Sequence, residues 1–195
     1  TSTKTTNKVP VDPDANVPLK DLYSYGTNSK TNPGQKTGHD GDQSYFDSDL
    51  FSKYPANLED YKTIFVELLN QERQMRGISP VSADSALMQI ADKRAEDTKA
   101  INYLEHRDGN GNLIAGNYLK EAGINVSNYA ECLCFETEAP ARMAVRDSLR
   151  GYIYQDADHN WGHRDSLLNP AFAHIGVGAV KSSDGNFIDN AVVLY

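Results

Sequence analysis

Two consecutive segments of this chain carry apolar residues at helical spacing, and its C-terminal end carries two segments with the pattern of β-strands. The first helical segment follows Asn57, whose side chain suits an N-cap, and ends before Gly77. The second follows Ser82 or Asp84 and extends its apolar stripe to Ile101. An amphipathic helix must bury its apolar stripe against another element, so these helices are expected to pack on a sheet.

The remaining elements supply that sheet and further helices. They are predicted in the order helix, strand, helix, helix, strand and strand, at 114–122, 126–135, 137–154, 163–168, 173–181 and 187–194. The last two strands are joined by a turn at 183–186, which makes them an antiparallel hairpin. We therefore predict an α/β fold, a three-layer α-β-α sandwich around a small, largely antiparallel central sheet.

Residues 1–42 differ in composition from the rest of the chain. They contain eight hydrophobic residues, four prolines and four glycines, with five Lys balanced by five Asp. Such a segment buries too little apolar surface to offset its ordering entropy, which predicts a linker or loosely docked tail. The domain is expected to comprise residues 43–195, which then carry the whole formal net charge of -8.

That charge and the hydropathy exclude two classes of partner. An acidic surface repels the phosphate backbone, so we expect no nucleic-acid partner. No stretch of the sequence approaches the roughly 18 consecutive apolar residues of a membrane-spanning helix.

Histidines are the most informative polar residues of the sequence. His39 is expected on the surface of the tail, and His174 opens a strand. His106 follows a long helix and precedes a loop, a place where side chains line clefts. His159 and His163 are four apart, which on one helix face would suit two metal ligands. The residues between them, Asn-Trp-Gly, argue against a continuous helix and therefore against a joint site.

The two cysteines lie two residues apart on one face of a predicted strand. This spacing separates the Cα atoms of Cys132 and Cys134 by about 6.5–7 Å, at or past the usual limit for a disulfide. Free, buried thiols are therefore favoured. The alternative is a pair of soft metal ligands beside Glu131, for which the surrounding sequence offers no further His or Cys at a supporting spacing.

Several short motifs occur in a fixed order along residues 58–195. They are Leu69-Asn70-Gln71-Glu72-Arg73 with Gly77-Ile78-Ser79-Pro80-Val81; Ala86-Leu87 with Ala91 and Ala95; His106-Arg107 with Asp108-Gly109; Ala130-Glu131; and Gly162-His163-Arg164 to Leu168-Asn169-Pro170, then Ile175-Gly176-Val177-Gly178. Taken together, these motifs resemble the CAP superfamily, the SCP domain of cysteine-rich secretory proteins, antigen 5 and plant pathogenesis-related proteins, in its bacterial form. The last motif is long and specific.

The resemblance implies the α-β-α fold and a central cleft lined by two histidines and one or two acids. By motif match these are His106 and His163, with Glu131 as the first acid. Together they would hold a divalent ion such as zinc and leave a coordination position open to water. Without a metal the same three residues would act as an acid–base group, so they are also the candidate catalytic residues.

The sequence departs from the family pattern at the second acid. Animal and plant members carry a second Glu where this chain has Gly151. Asp147, Asp156 or Asp158 could replace it, and Asp158, which closely precedes His163, is the preferred fourth metal ligand.

The function implied is that of a secreted or cell-surface bacterial domain. One hypothesis is an extracellular binding module for a lipid, glycan or protein, and the alternative is a metal-dependent hydrolase such as a peptidase that uses the same cleft. The sequence contains no independent nucleophile motif or zinc-protease motif, which favours binding but leaves the enzyme question open. A third hypothesis is an adhesive or spacer domain, in which metal adds nothing to thermal stability.

Overall fold

The computed structural model of this protein describes Leu19 and residues 55–195. The predicted tail over 1–42, together with His39, lies outside the described residues apart from Leu19, so its role as a linker stays a prediction. Leu19 itself is buried and belongs to the main hydrophobic core. At this one position the predicted tail therefore contributes to the hydrophobic core of the domain.

Helices and strands alternate along the described chain much as the periodicity predicts. The helices are α1 (Leu58–Met75), α2 (Ser85–Ile101), α3 (Ile114–Glu121), α4 (Ala141–Tyr154) and α5 (Gly162–Leu167); the strands are β1 (Ser82–Ala83), β2 (Ala130–Thr137), β3 (His174–Lys181) and β4 (Phe187–Leu194). A short 3₁₀ turn, Ala157–His159, connects α4 to α5.

The two long helices begin at the predicted caps. The side chain of Asn57 accepts hydrogen bonds from the first-turn amides of α1, and the side chain of Asp84 does the same for α2. Of the two candidate caps for α2, Asp84 is therefore the one used. Helix α2 is capped at its C-terminus by Asn102, which adopts a left-handed conformation with φ of 50°. The chain continues from this residue to His106.

Three details of the predicted elements are corrected. The strand expected at 126–135 lies at 130–137, and α4 begins at Ala141 rather than Thr137. The reason is that Thr137 pairs with Phe187 of β4 and so is the last residue of the strand, while Pro140 occupies the N-cap position of α4. The short strand β1, which pairs in parallel with the start of β3, was not predicted because two residues carry no readable alternation.

The four strands form one sheet in the order β1-β3-β4-β2. The pairs β3–β4 and β4–β2 are antiparallel, and only β1 pairs in parallel. The predicted largely antiparallel sheet is confirmed. Strand β2 lies at the edge of this sheet, where side chains near its start can be reached from solvent.

Helices cover both faces of the sheet, which confirms the three-layer sandwich. Alternate residues of β4 enter different clusters: Val192 packs with the core of α1 and α4, whereas Val193 packs with α2 and α3. Strand β2 follows the same alternation, since Cys132 belongs to the first cluster and Leu133 packs on the α2 side. None of the described helices is long and apolar enough to cross a membrane.

Two glycines of β3 allow α2 to lie directly on the sheet. A Cβ atom at Gly176 would fall 2.1 Å from the carbonyl oxygen of Leu87, and one at Gly178 would fall 2.0 Å from that of Ala91. Any side chain at these positions would push the helix away from the strand. This close approach fixes the position of α2, which carries Arg94 toward the start of β2.

A buried arginine connects α1 to the chain segment after α5. Arg73 is fully buried and donates to the carbonyl oxygens of Ser79, Leu167, Asn169 and Phe172 at 2.7–3.1 Å. A planar guanidinium can donate to all four of these carbonyl oxygens from one side chain, whereas an ammonium group cannot. The arginine thereby fixes the C-terminal end of α5, the helix that carries His163.

Candidate functional site

The first candidate pair joins the loop after α2 to the edge strand β2. The Nδ1 atom of His106 lies 2.5 Å from Oε2 of Glu131. The other carboxylate oxygen, Oε1, accepts from Nε of Arg94 at 2.6 Å, and Arg94 also donates to the carbonyl oxygen of Glu105. Glu131 and Arg94 are buried, whereas the His106 side chain is 43% exposed. A buried ion pair therefore orients a solvent-reachable imidazole.

This hydrogen bond determines what the imidazole of His106 can do. An ionised carboxylate only accepts hydrogen bonds, so the proton lies on Nδ1 and the lone pair lies on Nε2. An imidazole held in this way by a carboxylate is suited to bind a metal or to take a proton. His106 and Glu131 line a cavity of about 310 Å³ together with Arg107, Leu113, Ala115 and Tyr129.

The second candidate group surrounds the buried carboxylate of Asp156, between α4 and α5. Its Oδ1 atom lies 2.7 Å from Nδ1 of His163 and 3.3 Å from Nδ1 of His159. Its Oδ2 atom accepts from the backbone N–H groups of His163 and Arg164, which belong to the first turn of α5. Asp156 thus caps the helix and contacts both imidazoles at once.

The backbone between the two histidines explains why they meet. Asn160 and Trp161 both adopt left-handed conformations, with φ of 53° and 63°, and so separate the 3₁₀ turn from α5. The predicted break in the helix is confirmed, but it does not keep the imidazoles apart. The rings of His159 and His163 pack edge to face with centroids 4.9 Å apart.

Asp156, His159 and His163 could hold a metal ion. Each offers one ligand atom, and these atoms lie within 4.8 Å of one another. Tetrahedral zinc with bonds of about 2.0–2.1 Å places its ligand atoms about 3.3 Å apart, which matches the 3.3 Å from Asp156 Oδ1 to Nδ1 of His159. The 2.7 Å contact of the same oxygen with Nδ1 of His163 is a hydrogen bond, so an ion bound through that nitrogen would displace its proton. Two imidazoles and one carboxylate are also a common ligand set for zinc.

The structure divides the residues proposed from the sequence between these two groups. His106 pairs with Glu131, and His163 pairs with Asp156 rather than with Asp158, which lies exposed in the 3₁₀ turn. Sequence reasoning named Asp156 only as one alternative. A signal was present, since Asp156 lies a few residues before the short helix whose first amides need an acceptor.

Strand β2 contacts both groups. Glu131 shares a strand face with Leu133, which packs on Ala95 of α2. The next residue, Cys132, faces the opposite layer, and its thiol contacts the backbone carbonyl oxygen of His163 at 4.0 Å. A single site shared by His106, Glu131 and His163 stays a prediction.

Both cysteines are free thiols, as the strand geometry predicted. Burial raises the pKa of the Cys132 thiol well above its usual value and raises the pKa of the Cys134 thiol to about 12. Protonated thiols are poor metal ligands. Neither cysteine belongs to the three-residue cluster around Asp156, the group of potential metal ligands found in the described part of the chain.

Comparison with known proteins gives one family and one curated relative. The family model described as CAP, the cysteine-rich secretory protein family, matches residues 66–195. The uncharacterized protein YkwD of Bacillus subtilis (strain 168) is 29% identical in an alignment of 182 positions that covers 86% of this chain and 64% of that protein. This chain therefore spans slightly less than two thirds of the length of that relative.

Solved structures with the same architecture come from several bacteria. An extracellular protein containing an SCP domain from Bacillus anthracis has a TM-score of 0.53 at 20% identity, over 70% of this chain and 41% of that one. An outer surface protein of Borrelia burgdorferi has a TM-score of 0.56 at 17% identity, over 70% and 91%. The CAP domain of Enterococcal PrgA has a TM-score of 0.51 at 22% identity, over 69% and 59%. At these identities the likeness shows a shared fold.

Proposed function

The chain belongs to the CAP family of cysteine-rich secretory proteins, and we propose that it acts as a secreted or cell-surface binding module that holds a divalent cation such as zinc. Structural neighbours that are described as an extracellular protein and an outer surface protein support the extracellular location. The observation that carries the cation proposal is the convergence of Asp156, His159 and His163. The cleft beside His106 and Glu131 would then take the ligand.

Two ligand sets compete for the cation, and both include His163. The local set adds Asp156 and His159. The set implied by family resemblance adds His106 and Glu131, with Asp158 as a fourth ligand. The local set is favoured because its ligand atoms already lie within 4.8 Å of one another.

The cation and the cleft would contribute different chemistry. A bound zinc ion with an open coordination position would attract an anionic or carbonyl oxygen of a ligand. The imidazole of His106, with its proton fixed on Nδ1 by Glu131, would accept a hydrogen bond through Nε2 inside the cavity. The residues that line this cavity include no Ser, Thr or Cys that could act as a nucleophile, which supports binding rather than covalent catalysis.

The second candidate function is a metal-dependent hydrolase such as a peptidase. The observation that favours it is the His106–Glu131 pair, since an imidazole oriented by a buried carboxylate can take a proton from water. Peptide cleavage by the wild type, His106→Ala and His163→Ala, with and without zinc, distinguishes the two functions. Equal rates from all three proteins would exclude the enzyme.

Thermal unfolding with zinc and with a chelator tests the cation proposal. A ligand at a hundredfold excess over its dissociation constant stabilises the folded state by about 2.7 kcal/mol. We expect this gain in the wild type and its loss in His159→Ala and His163→Ala. His174→Gln is the matched control, because this exposed histidine contacts the ring of Tyr195 and lies outside both groups.

The variants also separate the two ligand sets. If the local set binds the cation, His106→Ala keeps the stabilisation by zinc. If the set implied by the family binds it, His106→Ala loses the stabilisation and His159→Ala keeps it. A wild type whose unfolding temperature is unchanged by zinc would refute the proposal and favour the spacer hypothesis.

A further inference from the structure

A second, larger cavity adjoins the one at His106 and Glu131. It has a volume of about 540 Å³ and is formed by α3, the loop before α3 and the loop before β2. The two cavities share Arg107, Leu113 and Tyr129, so they form one continuous groove. Each volume lies within the range of about 300–1,000 Å³ that is usual for small-molecule sites.

The larger cavity is positively charged in an acidic protein. Arg107 and Lys120 line it, and no Asp or Glu is among its lining residues, although the chain as a whole carries a formal net charge of -8. Within residues 55–195 neither cation forms an ion pair; the guanidinium of Arg107 donates to the carbonyl oxygen of Gly111, and its backbone N–H donates to Oε1 of Glu105. The groove therefore attracts an anion, and an arginine and a lysine are suited to carboxylate groups.

The uncharged polar residues of the cavity favour a ligand rich in hydroxyl groups. Asn112 and Asn117 both direct their amide Nδ2 groups to the carboxylate of Asp108, at 3.1 Å and 3.5 Å. The amide of Asn125 donates to a backbone carbonyl oxygen in its own loop. Each amide thus has at least one N–H group engaged, and its oxygen can accept a hydrogen bond from a ligand hydroxyl group.

An aromatic ring lies where the two cavities meet. Tyr129 lines both, and it lies so close to α3 that a Cβ atom at Gly116 would fall 2.2 Å from its hydroxyl oxygen. Glycine at this position therefore lets the ring lie against the helix. An aromatic side chain has an apolar face and a polar edge, which suits it to pack on a sugar ring.

We infer that this groove binds an acidic glycan, with its carboxylates paired to Arg107 and Lys120 and a sugar ring packed on Tyr129. The inference rests on the proposed binding function and names the class of its ligand. An extended acidic peptide fits less well, because the residues that line the larger cavity lie outside the four strands and offer no strand edge for backbone pairing.

Isothermal titration with trigalacturonate tests this inference, with neutral galactotriose as the matched sugar and triglutamate as the matched peptide. Trigalacturonate should bind the wild type at least tenfold more tightly than either, and its affinity should fall as salt is raised. Lys120→Gln and Arg107→Gln should each weaken binding at least threefold. Lys93→Gln is the control: this substitution makes the same change in net charge, but Lys93 contacts Tyr118 and Glu121, which lie outside the groove.

Tyr129→Leu adds a test of ring packing and should weaken binding of trigalacturonate without changing its dependence on salt. Equal affinity for the charged and neutral sugars, or an unchanged affinity in Lys120→Gln, would overturn the inference. Triglutamate that binds as tightly as trigalacturonate would assign the groove to acidic peptides instead. Stabilisation by zinc is measured on the same proteins, so a failure of the cation proposal and a failure of the glycan assignment are recognised separately.

Discussion

Asp156→Asn is the substitution whose consequences the structure defines most closely. The carboxylate uses both oxygens: Oδ2 accepts from the first-turn amides of α5, and Oδ1 faces the imidazole nitrogens of His159 and His163. Asparagine keeps one oxygen and places an N–H₂ group at the other position. It can therefore cap the helix or accept from the imidazoles, but not both.

The loss corresponds to one hydrogen bond to a buried charged group, about 1.5–3 kcal/mol in the free energy of unfolding. In a domain of this size that is a decrease of about 3–12 °C in the unfolding temperature. The assay is thermal and urea unfolding in the presence of a chelator, so that metal does not contribute. Asp165→Asn is the matched control; Asp165 is exposed on the same helix, and its loss should change stability by less than about 0.5 kcal/mol. Equal stability of the two variants would refute the role assigned to Asp156.

Three further predictions concern the core. Gly178→Ala should destabilise the protein by about 1–3 kcal/mol in urea unfolding, because the added Cβ would overlap the carbonyl oxygen of Ala91. Gly162→Ala is the control and should not destabilise it, because the space around Gly162 is open. Burial raises the pKa of the Glu136 carboxyl well above its usual value, so the folded state holds a proton that the unfolded state releases, and stability should fall as pH rises above the ordinary pKa of a glutamate carboxyl. Glu136→Gln should flatten that dependence, and an unchanged pH profile would contradict the assignment. Burial raises the pKa of the Cys134 thiol to about 12, so a thiol reagent at pH 8 should label no cysteine until the protein unfolds. Rapid labelling of the native protein would contradict this prediction, because it would show that the thiols are accessible.

Most of the fold could be predicted because it follows from short-range signals. The caps Asn57 and Asp84 and the glycine-bounded apolar stripes are local, and they place α1 and α2 within a residue or two. The family motifs also have a physical meaning in the structure. Arg73 holds the segment after α5, Asn70 exchanges two hydrogen bonds with the backbone of Val81, and the glycines around Val177 admit α2.

The errors arose where tertiary pairing decides the outcome. Thr137 could begin a helix by its own preference, but the register with Phe187 of β4 keeps it in the sheet. The length of β2 therefore depends on its partner strand, which a local pattern does not contain. The same limitation hid β1, whose two residues are defined only by pairing with β3.

At the candidate site, the sequence proposed His106, Glu131 and His163 but named Asp156, the partner of His163, only as an alternative. The pairing of His106 with Glu131 joins residues from a loop and a strand that motif order had already placed together. The contact between His159 and His163 depends on two successive left-handed residues, a conformation that is common for Asn but rare for a bulky residue such as Trp. Helical spacing was therefore the wrong criterion for judging that pair.

A crystal structure of the protein grown with zinc, with an anomalous difference map at the zinc absorption edge, tests the proposed cation site most directly. We predict one strong peak bonded to the imidazoles of His159 and His163 and to the carboxylate of Asp156. A peak that joins His106 to His163 instead, or a map without any peak at His163, would contradict this account.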